Sequence, residues 1–469
     1  MIAIADVIEA LGSERPAWGT QKLTGAALDS REIKPGMLFV ALKGEHVDGH
    51  DFVAQAFENG AHVALVERPI NAGFTELDLR AKVDANNVIS LPLVVVVENS
   101  LEALQKLARF WRNKLDLRVV GITGSVGKTT SKELIAEVLA QRSKTFRSIG
   151  NYNNEIGLPL NILNIDERDK YAVLEMGFYV IGEIAFLVEI AQPQIGVVTN
   201  IGTVHAERAG SQEAIYEGKA ELVRGLPKDG MAILNYDDPL VRRMAEESAA
   251  PVFFYGLSPE ADLWADEIEG LGLDGVRFQL HYKKEVLHVR VPMIGRHSVH
   301  TALRAAAVGL AERMDWQQIL QGLRIGHAQL RLVAAQAQNG AILLDDTYNA
   351  SPESAVAALN LLDELEGRKV AVLGDMLELG QYERQGHQMV GNLAAKVADL
   401  LITIGPRARV IAESARLAGM AADQVVEYEE SKSALEFLKQ HLSGEDIVLV
   451  KGSRAMHMDN IVPELEAGE

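Results

Sequence analysis

The segment Val119-Val120-Gly121-Ile122-Thr123-Gly124-Ser125-Val126-Gly127-Lys128-Thr129-Thr130 joins an apolar run to a glycine-rich turn, and a helical pattern, Ser131 to Ala140, follows. Glycines let successive backbone N–H groups close around phosphate oxygens, and a helix N-terminus adds positive potential. In such a loop Lys128 reaches the β- and γ-phosphates of a nucleotide, and the Thr129 hydroxyl is placed to ligate Mg²⁺. The spacing is a variant. The general expression wants a glycine five positions before Gly127, where Ile122 stands, and Gly121 misses by one. The bland alternative is an ordinary strand–turn–helix whose glycines serve tight packing.

Other residues could complete such a site. Glu175 ends the apolar run Tyr171-Ala172-Val173-Leu174. There it is either a Mg²⁺ ligand or a solvated strand-end acid. His205 follows the run Ile195 to Thr199 and the turn Asn200-Ile201-Gly202-Thr203, so it stands on the same rim, as a site residue or a capping histidine. Lys219 sits on a helical pattern, where a lysine is ordinarily a solvated charge. Further on, Leu343-Leu344-Asp345-Asp346-Thr347-Tyr348-Asn349 and Val372-Leu373-Gly374-Asp375 are strands ending in acids. Ile447 to Val450 ends in Lys451-Gly452-Ser453-Arg454. Acids and amides facing Lys and Arg suit a zwitterionic or nucleotide ligand. The same residue types also make any turn.

The elements that must position these groups fall into three blocks. To about Val97, short strands (Met37 to Leu42, His62 to Val66, Leu93 to Val97) surround a helical stretch, Phe52 to Phe57. From the helix Leu101 to Lys114, apolar strands alternate with helices, which argues for a mostly parallel sheet. They are Arg118 to Ile122, Tyr171 to Leu174, Ile195 to Thr199, Met231 to Leu234 and Val252 to Tyr255. From Val276 apolar and polar residues alternate, turn at Lys283-Lys284 and resume to Val291, an antiparallel hairpin. A helix from about Val299 to Arg313 closes this block. After Ile325, strands at 341–344, 369–373, 400–404, 425–428 and 447–450 alternate with helices as a second doubly wound α/β unit.

Composition narrows the classes. The 469 residues are 48% hydrophobic and 24% charged, values of an ordinary globular chain. A formal charge of −19 argues against a broad nucleic-acid face or an electrostatic membrane anchor. With no cysteine, disulfides, zinc–thiolate sites, iron–sulfur clusters and Cys nucleophiles are excluded. No apolar run is long enough for a membrane helix. Met1 to Leu11 carries Asp6 and Glu9 and lacks a basic start, so it reads as a short amphipathic helix rather than a signal peptide. The expected location is the cytoplasm.

Taken together, these segments resemble the Mur ligase family over nearly the whole chain. Leu28-Asp29-Ser30-Arg31, Pro35 to Val40, Lys43-Gly44 and Asp48-Gly49-His50 are similar to its uridine-nucleotide domain. Gly121 to Thr130 is similar to the family's phosphate loop, which accounts for the spacing. Asn151-Tyr152-Asn153-Asn154 resembles its Asn-rich loop near the muramoyl substrate. The fold implied is three α/β domains. Residues 1–97 bind the UDP-substrate, 98–325 form a parallel-sheet P-loop ATPase domain with a small antiparallel hairpin, and 326–469 form a Rossmann-like domain.

The resemblance also implies roles. ATP would lie on Gly124, Ser125, Val126, Gly127, Lys128, Thr129 and Thr130, with Arg331, Asp346 and Asn349. Thr129, Glu175, His205 and a carbamylated Lys219 would hold Mg²⁺. Carbamylation needs a neutral amine, hence a lowered pKa. Ser30, Arg31, Gly44, Asp48, His50, Asn151, Asn153 and Asn154 would face the UDP-substrate, and Asp375, Ser453 and Arg454 stand at strand ends for the incoming amine. Ser298 and Thr301 depart from the family's asparagines, and Phe178-Tyr179-Val180 replaces a more polar stretch.

The activity implied is ATP-dependent ligation of D-alanyl-D-alanine to UDP-N-acetylmuramoyl-tripeptide through an acyl phosphate, in peptidoglycan precursor synthesis, by a monomer. The alternatives are another ligase of the family that adds an amino acid, a folylpolyglutamate-type ligase, a P-loop kinase, or a nucleotide switch without ligation.

Overall fold

The computed structural model describes residues 1–12, 14–44, 46–70, 73–81, 90–203, 206–325 and 333–466. The sequence-predicted site residues His205 and Arg331 lie outside these, as does the start of the third block.

Three sheets organise the chain. The first runs Ala26–Ala27, Leu38–Val40, Val63–Val66, Leu93–Val96, Thr75–Asp78, all parallel. The second has nine strands, in the order Glu285–Val291, Val276–Tyr282, Leu263–Gly270, Val252–Gly256, Met231–Asn235, Ile195–Val198, Arg118–Thr123, Tyr171–Glu175, Thr145–Arg147. The third runs Val333–Gln336, Ile342–Asp346, Asp446–Lys451, Arg368–Gly374, Leu400–Ile404, Val425–Tyr428. It is parallel except for its first strand.

The middle sheet shows why its strands read as unbroken apolar runs. Helices cover both faces, so alternate side chains enter different cores. Val119, Ala172 and Leu174 face the helices Ser100–Lys114 and Gln212–Arg224. Val120, Ile122 and Val173 face the helices Lys128–Ala140 and Ser298–Ala311. The chain leaves Arg118–Thr123 toward one edge and later returns to its other side at Ile195–Val198. That reversal opens a crevice at the strands' carboxyl ends, where ligands bind in open α/β sheets.

The first sheet is joined firmly to the middle one. Ala103, Leu104, Leu107, Ala108 and Trp111 recur at helical spacing along Ser100–Lys114, and all are buried in a core that both sheets share. Asn164 extends the short edge strand Ala26–Ala27: its Oδ1 accepts from the Ala26 N–H at 3.0 Å and its Nδ2 donates to the Ala26 carbonyl at 3.0 Å.

The expected strands form, and the turn at Lys283-Lys284 closes the hairpin with Tyr282 opposite Glu285. Five strands escaped the sequence reading: Ala26–Ala27, Thr75–Asp78, Thr145–Arg147, Leu263–Gly270 and Val333–Gln336. Thr75–Asp78 and Thr145–Arg147 are short edge strands. Leu263–Gly270 carries Asp266, Glu267 and Glu269 and breaks register between Asp266 and Glu269, so its alternation is hidden. It pairs antiparallel with the hairpin and parallel with Val252–Gly256, which makes the hairpin an extension of the parallel sheet.

At the carboxyl end of the third sheet Lys451 stands in register with Asp346, and its Nζ donates to Asp346 Oδ2 at 2.6 Å. The lysine is 2% exposed and the aspartate side chain 14%. Removing one partner of a buried pair strands the other charge, at about 3–5 kcal/mol. Lys451→Met is therefore expected to lower amide-exchange protection of Ile342–Asp346 and Asp446–Lys451 by about 3 kcal/mol, and adding Asp346→Leu to recover most of it. Unchanged protection in the single variant would show the pair to be inconsequential.

Candidate active site

The phosphate loop is shaped mainly by the neighbouring strand end. Gly124 has φ +145°, and a Cβ there would lie 1.8 Å from Thr199 Oγ1, so only glycine lets the loop cross at this point. Asn200 then templates the next residues. Its carbonyl accepts from the Ser125 N–H at 3.0 Å and its Oδ1 from the Val126 N–H at 2.9 Å. Thr199 Oγ1 donates to the Val126 carbonyl at 2.7 Å, and the Gly202 N–H donates to Ser125 Oγ at 2.8 Å. Gly127, at φ +84°, turns the chain into the helix Lys128–Ala140. Lys128 Nζ lies back over the loop, donating to the Gly124 carbonyl at 2.8 Å.

Glu175 is 2% exposed and stands opposite Ile122 in the sheet. Its Oε2 accepts from Thr129 Oγ1 at 2.9 Å and its Oε1 from Asn153 Nδ2 at 2.9 Å. Three residues singled out in the sequence thus converge at the start of the phosphate-loop helix. A carboxylate and a hydroxyl are hard oxygen donors of the kind Mg²⁺ takes, so the donor set fits that ion.

Lys219 is the strongest departure from a solvated helical lysine. It is 1% exposed on Gln212–Arg224, a helix begun by Ser211, whose Oγ accepts from the Ala214 N–H at 3.1 Å. Among the described residues its ammonium makes no hydrogen bond or ion pair, and its Nζ lies 4.9 Å from the Phe178 ring centre. The ring fits because residue 218 is glycine: a Cβ there would meet it at 1.9 Å. Burial, helped by the positive charge of Lys128, pushes the Lys219 pKa well below the usual lysine range. The shift favours the neutral form of the amine, which is the nucleophilic one.

A cavity of about 490 Å³ opens over the loop. Lys128, Thr130, Asn151, Asn153 and Glu175 line one side, and Asp346, Tyr348, Asn349 and Lys451 of the third-sheet unit line another. Glu353, in the first turn of Pro352–Glu364, ties the two units together: its Oε1 accepts from the N–H and Oγ1 of Thr203 at 3.0 and 3.1 Å. Asp346 and Asn349 therefore line the same cavity as the phosphate loop.

Other sequence candidates have internal partners. Asp375, 3% exposed, accepts from the N–H groups of Arg407 and Ala408 at 3.0 and 2.7 Å, and Ser453 Oγ accepts from the Leu377 N–H at 2.9 Å. Arg454 lies 5.8 Å from the Tyr348 ring centre. Asn154 lies before the helix Gly157–Leu163, its Oδ1 accepting from the Gly157 N–H at 2.9 Å. In the first unit Asp48 Oδ1 lies 2.6 Å from His50 Nδ1, and His50 Nε2 accepts from the Glu67 N–H at 2.8 Å. Ser30 Oγ donates to Gln55 Oε1 at 2.7 Å, Arg31 pairs with Asp29, and the Gly44 N–H donates to the Val47 carbonyl. None of these first-unit residues lines the cavity.

Sequence reasoning missed Arg304 and Glu353. The signal for Arg304 was present, because it is the one charge between His300 and Glu312 in an alanine-rich helix. Glu353 reads from sequence as an ordinary first-turn acid.

Comparisons with known proteins cover the chain along its length. Residues 22–112 match the model of the Mur ligase family catalytic domain, 122–309 the Mur ligase middle domain and 330–454 the Mur ligase glutamate ligase domain. The UDP-N-acetylmuramoyl-tripeptide–D-alanyl-D-alanine ligase of Bacillus subtilis is 36% identical over 96% of this chain and 94% of its own. A crystal structure of MurF from Acinetobacter baumannii superposes with a TM-score of 0.84 at 32% identity, over 99% of this chain and 98% of that one. MurF ligase from Thermotoga maritima, in complex with ADP, gives 0.77 at 28% identity over 94% and 96%.

Lys219 has a measurable signature in stability. Its pKa is depressed in the folded chain, so the unfolded chain binds the extra proton, and stability rises with pH up to the unfolded lysine pKa of about 10.4. In buffer free of CO₂, Lys219→Met is expected to melt above wild type at pH 7, the gap closing toward about pH 10. A variant that melts lower at every pH would contradict the buried-amine assignment.

Proposed function

The chain belongs to the Mur ligase family, and we propose that it joins D-alanyl-D-alanine to UDP-N-acetylmuramoyl-tripeptide with hydrolysis of ATP to ADP and phosphate, the last amide ligation of the peptidoglycan precursor. The observation that carries this is the convergence of Thr129 and Glu175 at the phosphate loop, in a chain aligned end to end with relatives of that name. The ADP complex of the Thermotoga relative supports ATP as the energy source.

A carboxylate does not acylate an amine at neutral pH. The γ-phosphoryl group is first transferred to a carboxylate oxygen of the tripeptide, with ADP leaving. The D-alanyl-D-alanine amine then attacks the acyl carbon and loses a proton as phosphate departs. Backbone N–H groups of Gly124 to Thr130 cradle the phosphates, and Lys128 offsets charge on the moving phosphoryl group. Thr129 and Glu175, with His205, would hold Mg²⁺, which when bound neutralises charge between nucleotide and carboxylate. The neutral Lys219 amine adds to CO₂, forming an N–C bond and releasing one proton. The resulting anionic carbamate would add an oxygen donor to the residues that would hold Mg²⁺.

Asp346 and Asn349, with Arg331, take the nucleotide from the C-terminal side. Asn151 and Asn153 face the muramoyl end, and Ser30, Arg31, Gly44, Asp48 and His50 belong to the uridine end. Asp375, Ser453 and Arg454 shape the strand-end loops beside the incoming amine. We assign residues 1–97, 98–325 and 326–469 to the three domains. Closure of the third over the second excludes water from the acyl phosphate. The enzyme acts as a monomer in the cytoplasm. Among the described residues no helix is long and apolar enough to cross a membrane.

Phosphate release from ATP with Mg²⁺ is expected to require both UDP-N-acetylmuramoyl-tripeptide and D-alanyl-D-alanine, with one pentapeptide formed per phosphate. Release indifferent to both would favour a nucleotide switch. Lys128→Ala should lower kcat by about 10²- to 10³-fold. Lys219→Ala should lose ligation and regain part of it with small carboxylic acids, whereas near-normal turnover without them would remove the carbamate from the mechanism.

A further inference from the structure

Arg304 is 5% exposed and lines the cavity from the helix Ser298–Ala311. Its Nε donates to the His300 carbonyl at 3.1 Å, its Nη1 donates to Ser131 Oγ, and its guanidinium lies 5.6 Å from the Tyr255 ring centre. Among the described residues no carboxylate pairs with it. A buried charge in this state is costly without an anion, and the guanidinium carries five N–H donors, of which these bonds use two.

Its position says which anion. A Cβ on Gly127 would lie 3.3 Å from Arg304 Nη1 and 3.8 Å from Nη2, so the fork stands beside the N-terminus of the phosphate-loop helix. Ser131 follows Thr129 by two residues, about 200° around the helix. Thr129 faces Glu175, and the Mg²⁺ that such a hydroxyl would hold belongs at the far phosphates of the nucleotide. Arg304 therefore approaches from the opposite flank.

We propose that Arg304 is a second cation for the bound nucleotide, donating to the phosphate nearest the nucleoside while Lys128 serves the far end; the proposal rests on the ATP-binding reading of the cavity. Forked guanidinium donors match phosphate geometry, which a point-charge lysine does not.

Calorimetry of ADP, AMP and adenosine against wild type, Arg304→Met and Arg304→Gln tests this. Both substitutions are neutral, one apolar and one polar, so either that folds suffices. The expected result is ADP and AMP binding weakened by about 10- to 100-fold and adenosine changed by less than about twofold. The unliganded Arg304→Met protein should melt at or above wild type, since it no longer buries an unpaired charge. Unchanged ADP affinity, equal losses for adenosine and ADP, or loss for ADP but not AMP would each overturn the assignment. If wild type itself binds no ADP, the ATP reading of the cavity falls first, and this proposal with it.

Discussion

The site depends on one strand end holding the shape of another strand's loop. A phosphate loop must point its N–H groups into a cavity, so it cannot satisfy itself by folding inward. Here Thr199, Asn200 and Gly202 carry the hydrogen bonds that fix Ser125 and Val126. The parallel register of Arg118–Thr123 with Ile195–Val198 brings those residues within reach, and Gly124 permits the contact. Tyr171–Glu175, on the other side, delivers the carboxylate. Three adjacent strands thus set the loop, its brace and its acid, and the helices serve to keep the strands in line.

Around that frame the cavity sets three cations among the carboxylates of Glu175, Asp346 and Glu353. Lys128, Arg304 and Lys451 all line it. Each is placed differently: over the loop, beside its helix, and against Asp346. Lys219 lies behind them, its pKa pushed well below the usual lysine range by burial and the field of Lys128. Guanidinium and ammonium groups at the mouth, with a lysine of lowered pKa behind them, make an arrangement in which the same residue type is held in two different electrostatic environments.

Much of this was legible in the sequence. The apolar strands announced the parallel sheets because both faces are buried. Glycines and Lys128-Thr129 announced the loop because few other residues can wrap an anion. What was hidden depended on the third dimension. Lys219 reads as a surface charge until Phe178 is seen to fill the space that Gly218 leaves. Nor does spacing show that Asp375 Oδ1 accepts from two backbone amides of a distant loop. The strand Leu263–Gly270 was masked by its acids and its bulge. The resemblance to a family carried the roles of Glu175 and Lys219 further than position alone allowed.

The amide of Asn164 imitates a peptide group, donating to and accepting from Ala26 as the next strand of the first sheet would. Ala26–Ala27 lies at a sheet edge, the kind of surface on which another chain's strand can add, and Asn164 occupies its hydrogen-bonding groups from within the same molecule. This also staples the first sheet to the middle one through backbone geometry, which tolerates little sliding, as well as through a shared apolar core. The first two units therefore form a single anvil. The third meets the brace loop through the half-buried contacts of Glu353 with Thr203, so any movement against that anvil has to break them.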